Sequence, residues 1–220
     1  MKTRADLLNH LAEKYNLQTY LEIGVQDRKQ NFDKIICKTK CGVDPDPAAN
    51  ASCQCTSDEF FSINDPISRV DVTSCQDDTH KFLESENRFD LIFIDGLHTA
   101  EQVKKDFENA LRFLKPHGFI VLHDCNPLKE EHTIVPRPTK TGHWNGDVWK
   151  FAVALNGYDE LIRHTVDVDN GCMVLGNTGK EWMYPLFRIS EMSWSHFDKN
   201  RKKLLNLISW DEFIRIDSHV

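Results

Sequence analysis

The apolar residues of the chain follow two rhythms, one helical and one extended. Leu7, Leu8, Leu11 and Ala12 recur at helical spacing and predict an opening amphipathic helix. Thr19-Tyr20-Leu21-Glu22-Ile23-Gly24-Val25 is short, largely apolar and contains Gly near its end, which predicts a buried strand and a tight turn. Phe32, Ile35 and Ile36 predict a helix after that turn. Cys41-Gly42-Val43-Asp44 reads as a second short strand, stopped by Pro45 and Pro47. Strand, helix and strand within about thirty residues is the size of a parallel βαβ unit.

The middle repeats the pattern more clearly. Leu91-Ile92-Phe93-Ile94 is continuously apolar and ends at Asp95-Gly96, as a strand buried on both faces of a parallel sheet would. Thr99 and Gln102 have capping-box spacing, and Val103, Phe107, Ala110, Leu111 and Leu114 trace one helical face. Pro116 and Gly118 are expected to end that helix. Phe119-Ile120-Val121-Leu122 is then the next buried strand, ending at His123-Asp124. Such alternation implies right-handed crossovers and a three-layer α/β fold. After a loop marked by Pro127, Pro136 and Pro138, Asp147 to Leu155 reads as a helix. Ile162 to Val168 and Cys172 to Leu175 read as a hairpin around Asp169-Asn170-Gly171. Val70 to Val72 is a candidate strand and His80 to Leu83 a candidate helical stretch. There are no internal repeats and no low-complexity segments.

Composition narrows the class. The 220 residues fit one domain, 1–220, with a core of about 19–176 and a covering segment 177–220. A net charge of -7 argues against broad phosphate-driven binding of nucleic acid. No apolar run is long enough to cross a bilayer, and the N-terminus lacks the apolar core of a signal peptide, so the expected location is cytoplasmic, with no membrane partner. The 7 cysteines are odd in number and lack zinc-site spacing, so reduced thiols used as small apolar residues are expected.

In open α/β sheets, ligands bind beyond the carboxyl ends of the strands. Four successive strand ends carry polar or permissive residues: Glu22 with Gly24, Asp44, Asp95 and Asp124. Gly24 can take a positive φ or admit a ligand close to the backbone. The helix expected after it would offer free N–H groups to a carboxylate. Asp44, about twenty residues after Glu22, can accept from both hydroxyls of a ribose; its bland alternative is a turn-forming Asp before Pro45. The pattern G-x-G-x-x-G is absent, which weakens a dinucleotide reading.

Leu21-Glu22-Ile23-Gly24-Val25 resembles the first motif of class I S-adenosylmethionine-dependent methyltransferases, and Gly42-Val43-Asp44-Pro45-Asp46-Pro47 the second. The segments from Asp90 to His98 and from Leu122 to Pro127 resemble later strand ends of the methyltransferase domain 24 group, as do Thr56 to Phe61 and Gly146 to Lys150. That group is related to metal-dependent O-methyltransferases of catechols and macrolide sugars. The resemblance runs from about Thr19 to Leu175. It implies a Rossmann-like methyltransferase sandwich: a mostly parallel seven-stranded sheet, helices on both faces and a C-terminal antiparallel hairpin. It also implies Glu22 and Gly24 at the methionine end of the cofactor, Asp44 on the ribose, and Asp58, with Asp77 as the alternative, near the adenine amino group. Gln26 and Arg28 stand where further glycines often occur in the family.

Methyl transfer from a sulfonium needs alignment and a deprotonated acceptor. The resemblance implies Asp95 and Asp124 as carboxylates for a metal, Mg²⁺, which favours oxygen ligands. The neighbours His123 and Cys125 depart from the oxygen donors usual beside that second acid, and Asn126 is one step further. His98 is the candidate general base, with Asp95 beside it in catalysis. The expected acceptor is a small molecule or a sugar, met by the loop from Lys129 to Asn145 and the C-terminal tail. Trp182, Trp194 and Trp210 are candidates for a cover over the sheet, a closing cleft wall or the surface of a homo-oligomer. Two other readings stand beside this one: a nucleotide-cofactor oxidoreductase, and a non-catalytic cofactor-binding domain.

Overall fold

The computed structural model describes residues 1–63, 88–139, 142–157, 162–176 and 188–217. Val70 to Val72, Asp77, His80 to Leu83 and Trp182 lie outside the described residues. The strands are β1 (Thr19–Ile23), β2 (Thr39–Val43), β3 (Phe89–Ile94), β4 (Leu114–Leu122), β5 (Ile162–Val166), β6 (Cys172–Gly176) and β7 (Leu207–Ile208). The helices are α1 (Arg4–Lys14), α2 (Ser57–Ile63), α3 (Ala100–Phe113), α4 (Val148–Ala154), α5 (Trp194–Leu204) and α6 (Trp210–Asp217).

The strands form one seven-stranded sheet in the order β2-β1-β3-β4-β6-β5-β7. β2, β1, β3 and β4 are mutually parallel, β6 is antiparallel to β4 and β5, and β7 is parallel to β5. The sheet is thus the mixed, mostly parallel one expected. Its strands read as continuous apolar runs because alternate side chains enter two cores. Leu21, Ile23, Ile92, Ile94, Ile120 and Leu122 meet Phe60, Val103, Phe107, Phe151 and Phe197 on one face. Tyr20, Leu91, Phe93 and Val121 meet Leu7, Leu8, Leu11 and Phe213 on the other. Each fully buried Leu or Phe contributes roughly 1.5–3 kcal/mol. Helix α6 is fastened to α1 through Asp217, which accepts from His10 Nε2 at 2.8 Å and Tyr15 OH at 2.5 Å.

Two boundaries differ from the sequence reading. After β1 there is no α-helix, only a 3-10 turn at Phe32–Lys34. The Lys40 ammonium takes the carbonyls of Phe32 and Ile35 at 2.9 and 3.1 Å, and Ile35 is already extended. Those carbonyls are the acceptors a longer helix would need, so no free helix N-terminus follows Gly24. Helix α3 stops at Phe113 and passes directly into β4. Pro116 and Gly118 lie inside that strand, near the register shift between Phe89 and Leu91, with His117 at φ 63. They mark an irregular strand entry rather than the helix end.

The hairpin forms as read, with Asp169, Asn170 and Gly171 at φ 45, 67 and 84. Cys37, Cys41, Cys55, Cys125 and Cys172 are free thiols. Burial pushes Cys37 and Cys55 up to about 11 and the other three higher, so they stay protonated. Cys53 is disulfide-bonded, which corrects the expectation of thiols throughout. A disulfide requires two Cβ atoms to meet in space, and spacing along the chain does not report that. No helix among the described residues is long and apolar enough to cross a membrane.

Candidate active site

Glu22, Asp44, Asp95 and Asp124 lie at or just beyond the carboxyl ends of β1, β2, β3 and β4, four adjacent parallel strands, and so share one rim of the sheet. Gly24 is at φ 86, and a Cβ there would sit 2.2 Å from the Asp95 carbonyl oxygen. The close approach that requires glycine is therefore to the chain's own loop after β3. Glu22 is buried, and its Oε2 accepts from Tyr20 OH at 2.5 Å and Asn31 Nδ2 at 3.0 Å. Burial raises its carboxyl to about 7 against the lowering effect of those two donors. Asp44 accepts from the backbone N–H of Gln26 at 2.9 Å through Oδ2 and of Asp46 at 2.8 Å through Oδ1. Gln26, at φ 52, takes the left-handed turn where the family often has glycine. Asp58 opens α2 and accepts from Lys105 Nζ at 2.5 Å and Gln102 Nε2 at 3.1 Å, which holds its carboxyl below the usual range. Only half of the Thr99 capping box forms. Thr99 Oγ1 accepts from Gln102 N, but the Gln102 amide reaches across to Ser57, Asp58 and Asp106.

The β3–β4 end of the rim is dense in charge. The His98 imidazole lies between two carboxylates, with Nε2 3.3 Å from Asp95 Oδ1 and Nδ1 3.0 Å from Asp124 Oδ2. His123 is buried beneath them, with Nδ1 2.9 Å from Asp95 Oδ1 and 3.4 Å from Asp124 Oδ1. Arg4 reaches in from α1, its Nη1 3.4 Å from Asp95 Oδ2, 3.6 Å from Asp169 Oδ2 and 3.3 Å from His123 Nε2. Two cationic groups stand this close because Asp95 and Asp169 each face both. Burial opposes every charge here, yet the pairing prevails. The flanking carboxylates raise His98 to about 10 and His123 well above the usual imidazole range. His123 in turn holds Asp95 down to about 2, and His123 with His98 lowers Asp124 further. Three carboxylates (Asp95, Asp124, Asp169) thus face three cations (Arg4, His98, His123).

The segment between β4 and α4 closes over this cluster. Trp144 stacks on His98, ring centroids 5.2 Å apart and planes at 16°, and its carbonyl oxygen is 3.1 Å from His98 Nδ1. Asn145 Nδ2 donates to Asp124 Oδ1 at 2.6 Å. Gly146 is at φ 61, and a Cβ there would lie 1.7 Å from the His98 carbonyl oxygen. Asp147 caps α3 rather than its own helix: its Oδ1 accepts from Ala100 N at 2.7 Å. Sequence reasoning placed His98, Asp95 and Asp124 together and missed Arg4, Asp169 and Asn145. The Asp-Asn-Gly turn was legible, but only the folded hairpin brings Asp169 to Arg4.

Residues 23–125 match the family model described as a methyltransferase domain. No curated protein matches the sequence. Many solved structures resemble it weakly, among them the following three. An O-methyltransferase from Bacillus cereus, in complex with SAH, is 17% identical over 77% of this chain and 79% of that one, with a TM-score of 0.42. The SAH-bound methyltransferase PaMTH1 from Podospora anserina is 19% identical over 80% and 79%, at 0.46. The O-methyltransferase TomG from Streptomyces achromogenes, involved in tomaymycin synthesis and in complex with SAM, is 17% identical over 80% of each chain, at 0.47. Likeness this low speaks to the fold, and the chemistry rests on the residues of the rim.

The donors at the β3–β4 end of the rim fit a divalent cation. Asp95, His98 and Asp124 each offer one ligand atom, all within 4.8 Å of one another. Asn145, which donates to Asp124 through Nδ2, has its Oδ1 buried without a hydrogen-bond partner. A cavity of about 630 Å³ adjoins the start of α3, lined by Thr99, Glu101, Val135, Lys150, Ile189 and Met192 among others.

Proposed function

We propose that the chain is an S-adenosylmethionine-dependent methyltransferase acting on a hydroxyl oxygen of a small molecule or sugar, a single domain over 1–220 with its core at about 19–176. The observation that carries this reading is the rim. Within a methyltransferase domain, the Gly24 turn and Asp44 stand on two strand ends, and the Asp95, His98 and Asp124 cluster stands on the next two.

Asp44 holds the ribose. Each of its oxygens accepts one backbone N–H and retains lone-pair capacity for one ribose hydroxyl. Glu22 and Gly24 serve the methionine end and Asp58 the adenine amino group, with Asp77, outside the described residues, as the alternative. Bound S-adenosylmethionine would supply the methyl group from its sulfonium, and a ring nitrogen of His98 would take the proton of the acceptor hydroxyl. With Asp95 and Asp124 both ionised, His98 already holds its proton, so the base forms only once their charge is relieved. A divalent cation bound by Asp95 and Asp124 would relieve it and supply Lewis acidity at the acceptor oxygen. Trp144 stacks on the imidazole and excludes water from its face.

Thermal unfolding with S-adenosylhomocysteine and with NAD tests the cofactor, because a ligand of the folded state raises the midpoint by mass action. The expected result is a rise of several degrees with S-adenosylhomocysteine and none with NAD. Stabilisation by NAD alone would overturn the reading in favour of an oxidoreductase. Labelled methyl transfer to a panel of hydroxylated small molecules and sugars then names the acceptor.

A further inference from the structure

Asn145 has no exposure to solvent. It sits where the chain returns from the loop after β4, its backbone N–H donating to the His132 carbonyl at 2.9 Å. Its amide nitrogen donates to Asp124 Oδ1 at 2.6 Å, while its Oδ1 is buried with no partner. A buried carbonyl left unpaired is unfavourable and needs a partner to account for it. The segment does not drift here. Gly146 packs against the His98 backbone, and Asp147 N donates to the His98 carbonyl at 3.2 Å. The amide is therefore fixed to one of two neighbouring carboxylates through its nitrogen, and its oxygen is left free for another partner.

No residue next to Asp124 in the chain can supply that oxygen instead. The Cys125 thiol is buried and turned toward the carbonyls of Leu122 and His123, at 3.4 and 3.6 Å. The Asn126 amide is committed on both sides, donating to Asp167 Oδ1 at 3.1 Å and accepting from Arg201 Nη1 at 2.7 Å. Both ring nitrogens of His98 face carboxylates, Nε2 toward Asp95 and Nδ1 toward Asp124. Hard divalent cations such as Mg²⁺ and Mn²⁺ favour carboxylate, carbonyl and water oxygens over imidazole.

We propose that Asn145, contributed by the loop after β4, is the third oxygen ligand of a hard divalent cation held by Asp95 and Asp124, and that His98 stays outside the coordination shell. This rests on the cation part of the reading above. It assigns Asn145 a role that no motif marks. It also divides labour in the cluster: oxygens hold the ion, and the imidazole handles the acceptor proton. The same ligation would tie the ion to the loop that carries Trp144.

The test is Mn²⁺ binding to the full chain without cofactor, read as loss of the free-ion electron paramagnetic resonance signal. Wild type, Asn145→Ala, Asn145→Asp and His98→Ala are compared, each checked for folding by near-ultraviolet circular dichroism. Asn145→Ala should weaken Mn²⁺ binding at least about tenfold. Asn145→Asp, which turns the orphaned amide into a carboxylate, should bind at least as tightly as wild type. His98→Ala should stay within about threefold of wild type. A folded Asn145→Ala with wild-type affinity would overturn the proposal, and so would a loss in His98→Ala equal to or greater than that in Asn145→Ala. If Asn145→Ala does not fold, weaker binding by Asn145→Asp overturns it alone. Wild type that binds no Mn²⁺ overturns this proposal and the cation part of the reading, whereas stabilisation by S-adenosylhomocysteine reports independently on the methyltransferase reading.

Discussion

The two halves of the rim treat their carboxylates in opposite ways. At β1 and β2, Glu22 and Asp44 accept, among the described residues, from neutral donors: a tyrosine hydroxyl, an asparagine amide and two backbone N–H groups. At β3 and β4, Asp95 and Asp124 meet cations: Arg4, His98 and His123. Neutral donors leave a carboxylate able to accept from further neutral groups such as sugar hydroxyls. Cationic partners hold it firmly ionised and give it influence over nearby protons. One sheet edge thus provides a half suited to holding a ligand and a half suited to chemistry, and the contrast comes from the partners rather than from the acids.

Breaking the charged half should have the largest effect. Asp124→Asn keeps the shape but removes one of the two charges bracketing His98 and leaves Asn145 Nδ2 facing an amide. Steady-state methyl transfer should fall about 10³-fold, roughly 4 kcal/mol, with S-adenosylhomocysteine affinity within about threefold of wild type. Equal losses in turnover and in cofactor affinity would show that the two halves do not divide the work as described.

That division was only partly legible in the sequence. The buried strands β3 and β4 declared themselves because both faces are covered, which turns alternation into unbroken apolar runs. The rim acids followed from strand order. The partners did not. Arg4 lies in the opening helix and Asp169 in the last hairpin, and each becomes a neighbour of Asp95 or His123 only when α1 and β6 flank the parallel strands. Phe32, Ile35 and Ile36 suggested a helix because apolar spacing carries no information about Lys40, whose ammonium takes the carbonyls that would continue the turn. Asp147 read as the start of a helix and is one, but the N–H it caps belongs to a different helix.

The neutral half can be sharpened by pH. Glu22 titrates near 7 in the folded protein because it is buried, against 4.5 ordinarily. The fold therefore favours the protonated form. Its contribution to stability is full below about 4.5 and is lost as pH rises through 7, a change of about 3 kcal/mol. Glu22→Gln stays neutral throughout, and its amide oxygen can still accept from Tyr20 OH and Asn31 Nδ2. Chemical denaturation from pH 4.5 to 8 should show wild type losing this increment relative to the variant, with the variant the more stable at pH 8. Parallel curves would mean that Glu22 stays charged at neutral pH and that this half of the rim is not neutral.

The smallest expected effect belongs to Asp44, and it bears most directly on whether the neutral half holds a ligand. Asp44→Ala removes the acceptor for the Gln26 and Asp46 N–H groups along with the one for a ribose, so loss of cofactor binding alone would not separate the two roles. Asp44→Asn does, because one amide oxygen still accepts while the amide nitrogen cannot. Asp44→Ala should weaken S-adenosylhomocysteine about 30-fold by calorimetry, near 2 kcal/mol for hydrogen bonds to a charged group. The 2′-deoxy analogue should lose much less on the same substitution, since it lacks one of the hydroxyls at stake. Equal losses for both ligands in Asp44→Ala, with Asp44→Asn binding like wild type, would mean that Asp44 only shapes the turn at Gln26, and the ribose would have to be held from elsewhere on the rim.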